Sequence, residues 1–116
     1  MSAKGVSPKS MFRQGDVLVV AIDRAELPAN LIDAPRDAKR RMVLARGEAT
    51  GHAHVITGDR VALLCPPEDP ERLFILIEGY GRLVHEEHGP IALAAGAYRV
   101  VRQREYLPGS IRPVAD

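Results

Sequence analysis

The sequence predicts an all-β fold, a small antiparallel barrel or sandwich, and three observations carry that prediction. Short apolar runs rich in β-branched residues recur along the chain, at residues 16–23, 61–65, 72–78 and 97–106. Glycine, proline and aspartate punctuate them at the short intervals typical of antiparallel strands joined by turns. No internal repeat and no heptad pattern accompanies them.

Taken in order, residues 1–10 contain Lys4, Pro8 and Lys9 but no apolar stretch, and read as a flexible N-terminal segment rather than a secretory signal. Residues 11–106 read as a single β domain. Within it, 16–23 is too apolar to have a wet face and is expected to be a buried strand. Residues 24–41 are interrupted by Pro28 and Pro35 and carry Arg36, Lys39, Arg40 and Arg41; they read as a long loop with one helical turn. Residues 42–48 and 52–57 read as short strands on either side of residues 49–51. Thr57-Gly58-Asp59 reads as a turn that makes a hairpin of 52–57 and 61–65. Pro66, Pro67, Asp69 and Pro70 form a rigid turn before 72–78, whose two apolar faces suit a central strand. Gly79-Tyr80-Gly81, Gly89-Pro90 and Ala95-Gly96 read as turns that set off strands at 82–85, 91–93 and 97–106. Residues 107–116, broken by Pro108, Gly109 and Pro113, read as an extended C-terminal tail.

Composition bounds the function. At 116 residues the chain fits one domain, and 16 basic against 15 acidic residues leave no general field drawing it to nucleic acid or membrane. Aromatic residues make up 4% with no tryptophan, so stacking platforms for single-stranded nucleic acid are scarce. No apolar run approaches a membrane span, and the lone Cys65 has no partner for an internal disulfide, which fits a reducing, cytoplasmic setting. Cys65, ending an apolar run before Pro66, reads as a small buried hydrophobe.

The chemistry is concentrated in the histidines. All four fall in two clusters, Gly51-His52-Ala53-His54-Val55 and His85-Glu86-Glu87-His88-Gly89. Imidazole is the commonest metal ligand and titrates near neutrality, so such clusters point to metal binding or proton transfer. On a strand His52 and His54 share a face, whereas His85 and His88, three apart, meet only if Glu86 and Glu87 form a bulge or turn. The metal ligands expected are His52, His54, His85 and His88, holding a divalent transition metal such as Zn, Fe, Ni or Mn. Glu48, Glu86 and Glu87 are the expected proton carriers. Arg102 and Arg104, on one face of the last strand, are expected to orient a small anionic substrate.

Rival readings stay open at this point. The histidines could be structural, in an interaction module that assembles through strand edges, as a homo-oligomer or otherwise. They could also act as a metal-independent acid and base pair. Nucleic-acid binding through Arg36, Lys39, Arg40 and Arg41 is disfavoured by the near-zero net charge.

Two resemblances follow from these residues. His52-Ala53-His54, then Glu78-Gly79-Tyr80-Gly81, then Gly89-Pro90 leading into residues 91–100, loosely resembles a single-domain cupin, in which a His-x-His strand supplies two metal ligands. The last cupin histidine has no counterpart near Tyr98 to Val100, and the glutamate ligand expected after His-x-His has no clear match. Phe12-Arg13-Gln14-Gly15-Asp16-Val17, Gly47-Glu48-Ala49-Thr50-Gly51-His52-Ala53-His54, His85-Glu86-Glu87-His88-Gly89-Pro90-Ile91 and Arg102-Gln103-Arg104-Glu105-Tyr106 resemble a family of small uncharacterised bacterial proteins. That likeness spans most of the chain and implies a bacterial cytoplasmic origin without implying an activity.

Overall fold

The computed structural model describes residues 10–46 and 52–102. Among them are eight strands: β1 (Met11–Gln14), β2 (Val17–Ile22), β3 (Ile32–Asp33), β4 (Met42–Arg46), β5 (Ala53–Cys65), β6 (Phe74–Val84), β7 (Ile91–Leu93) and β8 (Gly96–Arg102). The one helical piece among the described residues is a 3-10 turn at Arg24–Glu26, capped by the Asp23 carboxylate accepting from Ala25 N. No helix there is long and apolar enough to cross a membrane.

All pairings are antiparallel. The hydrogen-bonded path runs β1-β2-β8-β6-β5-β3, with β4 added to β5 and β7 to β6. The path ends at β1 on one side and β3 on the other, so among the described residues the sheet does not close. The all-β antiparallel expectation holds, while a closed barrel is not what forms.

The spine is the long β5–β6 hairpin, and here the turn expectations need correction. Thr57-Gly58-Asp59 and Gly79-Tyr80-Gly81 do not reverse the chain; they lie inside β5 and β6 and face each other there, Gly58 paired with Gly81 and Asp59 with Tyr80. The register slips between Asp59 and Val61, where Arg60 takes a φ of 54°. Gly58, at a φ of 144°, sits where a Cβ would fall on the carbonyl oxygen of Tyr80. Glycine inside a strand here marks a bulge and a close backbone approach, not a turn. The true reversal between these strands is the proline segment, held by Asp69 N to Pro66 O at 3.1 Å and Arg72 N to Asp69 O at 3.2 Å.

The bend lets one hairpin serve two flanks. The Phe74–Ile77 stretch of β6 pairs with β8, and Gly81–Leu83 pairs with β7. On β5, Ala53 to Ile56 take β4 as neighbour, and Leu64 and Cys65 take β3. Both flanks feed one core: Val17, Val19, Ile75 and Tyr98 from one, Leu44, Ile56, Leu83 and Leu93 from the other. Tyr98 is fully buried, donates to Ala94 O at 2.6 Å and receives Phe12 edge-on, and burial pushes its phenol up to about 12. Cys65 is buried as expected.

The 24–41 loop keeps its predicted helical turn but also contributes β3. Its far end is anchored by Asp37, whose carboxylate accepts from Lys39 N, Arg41 N and Arg41 Nε at 2.7 to 3.0 Å. Those bonds, the Arg41 amide foremost, bring the Asp37 carboxyl down to about 2.

Candidate functional site

Three chain segments converge around the histidines: the start of β5, the β6–β7 connection, and the β1–β2 turn. His52 lies immediately ahead of β5 and His54 within it, and both rings pack on His85, at centroid distances of 5.6 and 4.3 Å. Residues 86–88 bend the chain after β6, which swings His88 back to 4.7 Å from His85 and 5.9 Å from His54. The two clusters therefore meet, and the turn through Glu86 and Glu87 is what brings His85 and His88 together.

The carboxylates are woven into the same cluster. Glu86 accepts from Ala53 N at 3.1 Å, which ties the β6–β7 connection to the start of β5, between His52 and His54. That amide, with the nearby His52 and His85, holds the Glu86 carboxyl below its ordinary range and therefore ionised at neutral pH. Glu87 Oε2 lies 3.3 Å from His52 Nδ1, and Glu87 N donates to His85 Nδ1 at 3.0 Å. His52, His85 and Glu86 each offer one ligand atom within 4.8 Å of the others, a set able to hold a metal ion.

The β1–β2 turn supplies residues that were not among the expected ligands, proton carriers or substrate-binding groups. Gln14 is 2% exposed, and its amide nitrogen donates to Leu83 O at 3.1 Å and Gly89 O at 2.9 Å. Both hydrogens are thereby used, so the Gln14 oxygen is the atom facing His54 Nδ1 at 2.8 Å, and that ring nitrogen must be the donor. A neutral His54 then carries its lone pair on Nε2, which lies 3.6 Å from Asp16 Oδ1. Burial, reinforced by His85 and His88 and opposed by Asp16 and Glu86, lowers the His54 pKa and favours that neutral ring. Gly15 makes the approach feasible: it adopts a φ of 60°, and a Cβ there would come within 2.8 Å of His88 Nε2.

Gln14, Gly15 and Asp16 had a signal in the sequence, since Gly-Asp directly ahead of an apolar run is a hairpin-turn pair. Starting the first strand at residue 16 hid it, because β1 ends at Gln14 and pairs with β2 across those two residues.

Glu48 and Arg104 are outside the described residues. Arg102 leaves the end of β8 toward Glu71, donating to its carbonyl at 2.7 Å, and lines a cavity whose walls include no histidine. Glu86, expected as a proton carrier, lies in the group with His52 and His85 whose ligand atoms are close enough to hold a metal ion.

No curated protein and no solved structure matches the chain. A family profile described as a domain of unknown function, DUF8820, does match, over residues 13–103. That span holds the Gln14–Asp16 turn and both histidine clusters, and the chain belongs to this family.

Proposed function

We propose that this domain binds a divalent transition metal through His52, His85 and Glu86 and uses it in chemistry on a small molecule. The observation that carries the reading is the mutual approach of those three ligand atoms, within 4.8 Å. Two imidazoles and one carboxylate suit Zn, Fe, Ni or Mn and leave coordination positions for water and substrate. A bound metal of this kind polarises a substrate oxygen or acidifies a water.

Two further features support a cation here. His54 Nε2 and Asp16 Oδ1 are both acceptors when His54 is neutral, yet they face each other at 3.6 Å. A cation between or beside them relieves that opposition. Glu87 Oε2 places a carboxylate 3.3 Å from His52 Nδ1, a negative charge that favours a cation beside that imidazole. On this reading His54 and His88 flank the metal as groups that accept or deliver a proton.

Cobalt(II) titration of the full chain tests the proposal, because the visible bands of bound Co(II) report coordination by nitrogen and oxygen donors. Saturable bands in the wild type that vanish in His85→Ala and in Glu86→Gln are expected. Bands that survive both substitutions, or a wild type that never develops them, would remove the metal reading.

A further inference from the structure

Gln14 fixes which nitrogen of His54 is open to a ligand. Its amide hydrogens are spent on Leu83 O and Gly89 O, so its oxygen faces His54 Nδ1 at 2.8 Å, and that nitrogen keeps its proton whether the ring is neutral or charged. Nε2 is then the one ring atom able to bind a metal. Metal-ligating histidines are held in this way, the other ring N–H donated to a fixed acceptor. Gln14 is 2% exposed and the His54 side chain 5%, so packing clamps the ring where it stands.

His54 Nε2 faces Asp16 Oδ1 at 3.6 Å. That separation is too long for a hydrogen bond. It is close to the spacing of two ligands on one ion, since donors about 2.1 Å from a tetrahedral centre stand about 3.4 Å apart. Gly15 opens a third side: at its φ of 60°, a Cβ would lie 2.8 Å from His88 Nε2 and 3.2 Å from His54 Cε1. His88 thus reaches the same ground as the edge of His54, and its exposed ring has room to turn toward Nε2.

We propose that His54 Nε2, Asp16 Oδ1 and His88 hold a second divalent cation of the zinc type, separate from the one assigned to His52, His85 and Glu86. Mixed imidazole and carboxylate donors suit such an ion. Asp16 is half exposed and His88 must turn to bind, so this site is the weaker and fills after the first. An ion and a proton compete for the Nε2 lone pair, so His54 serves either the second ion or proton transfer, not both at once. None of the contacts that shape this site involves His52, His85 or Glu86, so the second ion does not require the first.

Zinc(II) titration of the full chain carrying nitrogen-15-labelled histidine tests this, because coordination moves the ligating ring nitrogen in the NMR spectrum. In the wild type His85 should respond at the first equivalent and His54 Nε2 beyond it, with Nδ1 keeping its proton. Glu86→Gln should lose the first response and keep the second, which separates the two sites. Asp16→Asn, at a half-exposed turn position, should melt as wild type and weaken the His54 response at least about tenfold. A silent His85 with a responding His54 would remove the first site and uphold this one. A His54 Nε2 that stays put at millimolar zinc(II) would overturn the proposal. So would a His54 response that disappears in Glu86→Gln, which would make His54 a ligand of the first ion, or one unchanged in a folded Asp16→Asn.

Discussion

Gln14 does three jobs with one side chain: its two N–H groups bond carbonyls on either side of the β6–β7 bend, and its oxygen sets the His54 proton. Gln14→Leu keeps the bulk and leaves those buried groups unsatisfied, a loss of about 1–3 kcal/mol by urea unfolding. Nitrogen-15 NMR of the wild-type imidazoles should find His54 protonated at Nδ1, and in the Leu variant that preference should fade. A wild-type His54 protonated at Nε2 would contradict the assignment. Asp37 supports a pH prediction. Its folded pKa, about 2, is below the unfolded value of 3.8, so its stabilisation is present above pH 3.8 and is lost as pH falls toward 2. Wild type should melt above Asp37→Asn at pH 6, and the gap should close between pH 4 and pH 2. A gap that persists at pH 2 would assign the difference to something other than the charge.

At the level of elements, the β5–β6 hairpin determines whether the site assembles. Its bend distributes partners to both flanks, and β5 begins at the histidines while β6 ends at them. Gly58→Ala forces a Cβ toward Tyr80 O at a φ of 144°, which should cost roughly 1–3 kcal/mol and lower the melting temperature. A melting temperature equal to wild type would mean that the bend does not need glycine. The sequence was legible here only in part. β2, β4, β7 and the proline reversal were readable because each is an apolar run or rigid turn whose local signal agrees with its tertiary role. Gly58, Gly79 and Gly81 misled because the same residue serves turns and in-strand close approaches, and the choice depends on the strand lying opposite. The two-residue β3 has too little pattern to be seen, since its pairing with Leu64 and Cys65 defines it.

For the molecule as a whole, the eight strands of the described residues form a sheet that folds both flanks onto one core and gathers the polar chemistry where three segments of chain meet. The composition of the site was readable from the sequence, because four histidines in two clusters stand out in any chain. Its geometry was not, because it depends on a register shared by β5 and β6 and on a turn in β1–β2 far away in sequence. Arg102 shows the same limit: strand alternation gave its face, but the partner that draws it to Glu71 lies 31 residues away. On the function proposed above, this convergence is a metal centre. Elemental mass spectrometry on the full chain, purified without a histidine tag and reconstituted in turn with Zn, Fe, Ni and Mn, tests it most directly. Near-stoichiometric metal in the wild type and its loss in His52→Ala/His85→Ala are expected. A wild type that retains no metal, or a double variant that retains as much, would contradict it.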